Sequence, residues 1–223
     1  MRTMSKNTRC HLMNDGTISQ IKDRTSQLPS GYQRLKWIQP QHLANQYIAT
    51  SITPTSNYSI EFQFSDMASD YNQCFWCARA NTNVSTYTMF CLPAIYNGRY
   101  LRSDNNSGQV QVSGIELDEG LYTITRRKNK VYVNNTLYIV HDSGSFTAGG
   151  KLVFFSSYID SAFDNVAHYK CYGIKVWDGS DVLILHLLPC LRNSDGRPGL
   201  YDIINQTFYT NTGTAFLYGC PLR

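Results

Sequence analysis

Residues 175–216 read KVWDGSDVLILHLLPCLRNSDGRPGLYDIINQTFYTNTGTAF, two apolar runs separated by residues that favour turns. Asp178 and Gly179 suit a reversal between two strands, because a short acidic side chain can bond its own backbone and glycine accepts unusual dihedrals. The run DVLILHLLPC is apolar on both faces, as expected of a short strand covered from both sides. Pro189 is expected to close it, since proline cannot donate to a ladder. Asn193, Asp195 and Gly196 then build a tight loop, and Leu200 and Tyr201 return to the core. Each polar residue has a turn to make, so the stretch punctuates a fold and does not spell out an active site.

Working outward, short β-rich runs recur about every 8 to 12 residues with turn signals between them, which is the signature of an antiparallel sandwich or barrel. YSIEFQFS (58–65) alternates and buries either Ile60, Phe62 and Phe64 or the opposite set. GLYTITRRKNKVYVNNTLYIV (120–140) reads as a meander, with one turn at Lys128 and Asn129 and a second at Asn134 and Asn135, where asparagine tolerates left-handed backbone. Sixteen tyrosines against three glutamates (Glu61, Glu116, Glu119) also favour pleated sheet over helix. The 223 residues are enough for one large all-β domain.

Charge is sparse, at 16% Asp, Glu, Lys and Arg, and unevenly placed. Of the net +4, residues 1–27 hold +3, with Arg2, Lys6, Arg9, Lys22 and Arg24 against Asp15 and Asp23. A body this weakly charged lacks the basic stripe of a nucleic-acid reader. No run approaches the roughly 20 apolar residues of a membrane span. The first 20 residues lack the apolar centre of a secretory signal peptide, so synthesis in a cytoplasm is expected, with the seven cysteines reduced and mostly buried. Residues 1–27 have no sustained period and read as an arm. LPSGY (28–32) then opens a single body, residues 28–223.

LPSGYQRLKWIQPQHLANQYIATSI (28–52) resembles the opening of a concanavalin A-like, or laminin G-like, jelly roll found in gut bacteria and their phages. YGIKVWDGSDVLILHLLPC…RNSDGRPGLYD…FYTN resembles the same family's closing signature, so the two ends bracket residues 28–218. The segment after Pro40 lengthens the opening, and the arm before Leu28 is not part of the pattern. The resemblance implies a jelly-roll β-sandwich. Modules of this kind often sit in phage fibres, other virion-surface parts or bacterial surface proteins, which implies a binding or display role.

Jelly rolls of this type include glycoside hydrolases, and a retaining enzyme needs two carboxyls about 5 Å apart. GIELDEG (114–120) offers Glu116 and Asp118 on one strand face, but Glu119 falls on the other and Gly120 ends the run, so no catalytic residue is assigned. CFWC (74–77) is a lone Cys-x-x-Cys without the second pair that zinc requires, and in a regular strand Cys74 and Cys77 point to opposite faces. His186 has no histidine at ligand spacing. RRKNK (126–130) reads as a solvated hairpin tip. No cofactor is expected; calcium is the alternative, with oxygen ligands in RSDNNSG (102–108) and YIDSAFDN (158–165).

Sugar binding needs aromatic faces for the apolar side of a pyranose and polar groups for its hydroxyls. Trp76, Arg79, Tyr96, Asn97, Arg99, Tyr100 and Arg102 are the candidates, with core packing of Trp76 as the competing role. The reading is a non-catalytic virion-surface or fibre protein of a bacteriophage. Its arm would engage other virion proteins, and its jelly roll a host-surface glycan, with neither nucleic-acid nor membrane insertion as a role. The alternatives are a purely structural decoration protein, a glycoside hydrolase and a bacterial surface adhesin. No heptads appear, so self-association is left open.

Overall fold

The structure is a computed structural model describing residues 28–43, 45–67, 72–79, 86–92, 99–106, 108–115, 117, 120–142, 144–159 and 162–222. The expected arm, residues 1–27, lies outside them. In chain order the first strands are β1 (Tyr32–Arg34), β2 (Ile38–Gln39), β3 (Ile48–Ala49), β4 (Ser59–Ser65), β5 (Gln73–Ala78), β6 (Thr86–Leu92) and β7 (Arg99–Asn106). Then follow β8 (Gly108–Ile115), β9 (Tyr122–Arg127), β10 (Lys130–Val133), β11 (Thr136–Val140), β12 (Val153–Phe154) and β13 (Ser157–Ile159). The last are β14 (Ala162–Asp164), β15 (Lys170–Trp177), β16 (Leu183–Arg192), β17 (Arg197–Asp202), β18 (Thr207–Tyr209) and β19 (Leu217–Tyr218). The described residues contain no helix.

Two antiparallel sheets face each other. The larger runs β11-β10-β9-β4-β15-β16-β17-β18, with β1 beside β16, β2 beside β15 and β19 beside β2. The smaller runs β3-β12-β5-β6-β7-β8, and β13 and β14 form a separate hairpin. Period-two alternation decides which side chains meet between the sheets. From β4 these are Ile60, Phe62 and Phe64, all with no exposed surface, so the first of the two sets fills the core. Opposite them, Phe75, Phe155 and Tyr169 complete an aromatic cluster in which the Phe75 and Tyr169 rings stand 5.1 Å apart.

The closing stretch folds largely as its residues dictate. Asp178 Oδ1 accepts the N–H of Ser180 (2.9 Å) and of Val182 (3.0 Å), closing the first turn. In the second loop Asp195 accepts a fork from Arg192 (3.0 and 2.5 Å), and Gly196 adopts φ +65°, a left-handed dihedral that glycine takes without cost. That fork holds the Asp195 carboxyl down at about 2. Asp202, fully buried, accepts the N–H of His186 (3.1 Å) and Ile204 (3.0 Å) and so ties the next turn to β16. Pro189, however, does not end its strand: β16 continues through it to Arg192. Its carbonyl accepts from Leu35 N–H (2.9 Å), so its ring nitrogen also faces β1, where that short strand ends, and the missing donor costs no ladder bond to β17.

The meander is present as β9, β10 and β11, with left-handed Lys128 (φ 55°), Asn134 (φ 47°) and Asn135 (φ 67°) at its turns. The basic tip is smaller than its sequence suggests. Arg126 pairs beside Ile60 on the core face and has no exposed surface. Its guanidinium lies 3.7 Å from the Tyr87 ring centroid, Nε donates to Lys128 O at 3.0 Å, and Nη2 donates to Asn105 Oδ1. Burial lowers its pKa. Only Arg127, Lys128 and Lys130 remain exposed at that end.

Cys74, Cys77, Cys171 and Cys190 are buried thiols, as expected. Burial pushes the Cys171 thiol up and takes Cys190 to about 12, which leaves little reactive thiolate. Cys220 departs from the all-reduced expectation, because it is disulfide-bonded. Pairing depends on which thiols the fold brings together, and spacing along the chain carries no such information.

Candidate functional site

The sugar-site candidates divide along β5, β6 and β7. A β-bulge between Cys74 and Trp76 breaks the alternation of β5. Such a bulge places two successive residues opposite one, so both turn the same way. Phe75 and Trp76 therefore both enter the main core, and Cys74 and Cys77 both lie on the outer face, in contact with each other. This corrects the expectation that the two cysteines oppose one another. It also moves Trp76: the indole has no exposed surface and offers no face to a sugar.

Beyond the bulge the register is regular. Trp76, Met89 and Ser103 form one cross-strand row toward the core, and Cys77, Thr88 and Asp104 form the adjacent row on the outer face. Arg102 shares that face. Its Nε donates to Asp104 Oδ1 at 2.8 Å and its Nη2 to Asp104 Oδ2 at 3.1 Å. The fork is asymmetric in exposure, since the Arg102 side chain is 29% accessible and that of Asp104 7%. A bidentate carboxylate fixes the plane of a guanidinium. Cross-strand from Asp104, the Thr88 hydroxyl is buried and has no hydrogen-bond partner. With no exposed surface, that hydroxyl lies out of reach of a ligand at the sheet surface.

Arg79 follows β5 directly, is 8% exposed and acts electrostatically on the Cys74 thiol of the same face. Arg99 and Tyr100 lie on β7, Tyr100 opposite Leu92 and Arg99 opposite Ile115. Tyr96 and Asn97 fall outside the described residues. Arg102 and Arg79 are thus brought to one side of the smaller sheet, and Trp76 is removed from it. Sequence reasoning took Asp104 for a calcium ligand and missed its pairing with Arg102, although two residues apart on a strand is the spacing that lets the two meet.

The other candidate chemistry is placed as follows. Glu116, Asp118 and Glu119 lie outside the described residues. Of RSDNNSG, residues 102–106 are strand, Asp104 is taken by Arg102, Asn105 points into the core toward Arg126, and Ser107 lies outside the described residues. The second calcium candidate, residues 158–165, contributes β13 and β14. Among the described residues no three His, Cys, Asp or Glu side chains gather as a metal set. His186 is half-buried on β16, opposite Lys175. A solvent-open recess of about 390 Å³ lies away from all of these, between Tyr32, Gln33, Arg34, Asn193 and Leu222.

Comparison with solved structures gives the architecture a context. A heptameric SAP-like pentraxin from Limulus polyphemus superposes with a TM-score of 0.52 at 12% identity, over 87% of this chain and 97% of that one. The fold is an antiparallel jelly-roll β-sandwich. The CBM40 of the Ruminococcus gnavus IT-sialidase aligns with a TM-score of 0.43 at 8% identity, over 67% of this chain and 91% of that one. Its complex with α2,3-sialyllactose gives 0.42 at 8% identity, over 67% and 90%. No protein-family model and no characterised protein matches the sequence.

Proposed function

We propose that this chain is a non-catalytic, glycan-binding jelly roll carried on the surface or a fibre of a bacteriophage virion. The observation behind the glycan reading is the Arg102–Asp104 fork on the outer face of the smaller sheet. A guanidinium whose plane is held by a carboxylate suits vicinal sugar hydroxyls, which both donate and accept. Arg79 lines the same face, and Arg99 and Tyr100 are carried on the same strand as Arg102. The virion setting is supported by the resemblance of LPSGY…QYI and RNSDGRPGLYD…FYTN to modules of phage fibres and virion surfaces. In this reading residues 1–27 are the attachment segment for other virion proteins, made in the host cytoplasm with the rest of the chain.

A glycan-binding screen of the full chain, with reducing-sugar release read in the same wells, tests the reading. Binding without cleavage, weakened tenfold or more by Arg102→Ala, is expected. Release of reducing ends would overturn the non-catalytic assignment, and absence of any binding would leave a purely structural role. Incorporation into particles after deletion of residues 1–27 would overturn the attachment role of the arm.

A further inference from the structure

The larger sheet also turns a polar face outward. Ile60, Phe62 and Phe64 of β4 and Ile174 and Val176 of β15 point into the core, so Glu61, Gln63 and Ser65, with Lys175 and Trp177, point away from it. Two stations of the same composition stand on this face. At one end Lys175 Nζ contacts Glu61 Oε1 at 3.0 Å and lies 6.0 Å from the Trp177 ring centroid. At the other, Lys170 Nζ contacts Asp66 Oδ2 and lies 5.0 Å from the Trp37 ring centroid. Each station is one lysine, one carboxylate and one half-buried indole. Beside the second, Ser65 Oγ bonds Tyr172 OH at 2.9 Å, which carries the row of hydroxyls toward the middle of the sheet.

Between the stations lies Gly173, paired with Gln63. A Cβ at Gly173 would find a single neighbour, Leu187 O at 3.4 Å, so the missing side chain leaves a dent in an otherwise covered face. The dent is bordered by Glu61, Gln63, Lys175, His186 and Leu188. A bulge in β15 lies between Lys170 and Lys175, which pair with Ser65 and Glu61 four residues apart on β4, a span of about 13 Å at some 3.3 Å per residue. That length exceeds a single sugar ring and suits a short chain of them.

We propose that this line, from Trp177 and Lys175 across Gly173 to Lys170 and Trp37, is a binding track for a neutral, extended oligosaccharide. Charge decides the ligand class: both lysines are matched by carboxylates on the neighbouring β4 side, so the track presents no net field to attract an acidic polymer. What it offers instead are fixed donors and acceptors for hydroxyls, and indole surface for the apolar C–H faces of the rings. The track is separate from the Arg102 face and shares with the preceding proposal only the premise that this chain binds sugars.

The test is calorimetric titration of the full chain with neutral tetrasaccharides of the cello-, manno- and xylo-series, the corresponding monosaccharides, and an oligouronide. One neutral tetrasaccharide is expected to bind at least tenfold more tightly than its monosaccharide and than the oligouronide. Gly173→Leu, which fills the dent from the solvent side, should weaken that binding tenfold or more at an unchanged melting temperature. Lys175→Met is the second variant, with the same expected loss should Gly173→Leu fail to fold. Neutral binding abolished by Arg102→Ala and untouched by both track variants would overturn the track and support the smaller-sheet site. Binding of the oligouronide alone would overturn the track only. Silence toward every glycan would overturn both.

Discussion

Acid should weaken this protein through one histidine. His141, 3% exposed, follows β11 and sits at the end of the core, where its Nε2 meets Ser103 Oγ at 2.9 Å. Around it are Arg126 from β9, Asp104 from β7 and Asp142 next along the chain. Desolvation first, and the Arg126 charge second, lower its pKa from 6.5 to about 4. An unfolded chain therefore takes up a proton near pH 6.5, whereas the folded chain resists it until about pH 4. Below 6.5 the unfolded state binds more protons, so stability is complete above that pH and falls as the pH drops toward 4. Two and a half units at about 1.36 kcal/mol each amount to roughly 3 kcal/mol. For a chain of this size that is a fall of about 6–12 °C in melting temperature. Thermal unfolding followed from pH 7.5 to 4 in the parent and in His141→Gln measures it, since glutamine does not titrate and the carboxylates common to both cancel in the difference. The parent should lose about 3 kcal/mol more than the variant across that window. Parallel pH profiles would refute the reasoning.

Three further outcomes are expected from denaturant unfolding. Phe62→Ala removes a ring packed against Phe75, Phe154, Phe155 and Tyr169 and should cost about 3–5 kcal/mol; a loss below 1 kcal/mol would mean the aromatic cluster relaxes into the gap. Gly199→Ala should destabilise by about 1–3 kcal/mol or more, because a Cβ there overlaps Tyr209 O and the Phe208 ring. Asp202→Ala removes the acceptor for the His186 and Ile204 N–H groups and for Asn205 Nδ2, at a cost of about 1–3 kcal/mol. An unchanged midpoint in either of these last two would show that β17 and β18 adjust more freely than their close packing implies.

Local chemistry made much of the fold legible. The period of YSIEFQFS limits β4 to two alternatives, asparagines mark the second meander turn, and the Asp178, Asp195 and Gly196 turns are written in residues whose side chains bond their own backbone or whose dihedrals demand glycine. Facing was a different matter. The bulge in β5 inverts the parity of everything after it, so Trp76 went inward and Cys74 joined Cys77 outside, and CFWC holds no residue that announces the extra position. Arg126 is charged and sits beside a turn, yet its place on the strand puts it under the Tyr87 ring, because period two along β9 outweighs the identity of one residue.

Of the candidate sites, Arg102 and Asp104 are visible as neighbours on one strand, but the Thr88 hydroxyl opposite them depends on how β6 pairs with β7. Still less could be read of the larger-sheet stations, where Trp37 and Asp66 reach Lys170 from distant parts of the chain. Side-chain period and turn chemistry act within a few residues, and they fixed the strands, the turns and the class of fold. Which face each strand presents, and which distant side chains share it, was settled only when two sheets had to exclude water from one core.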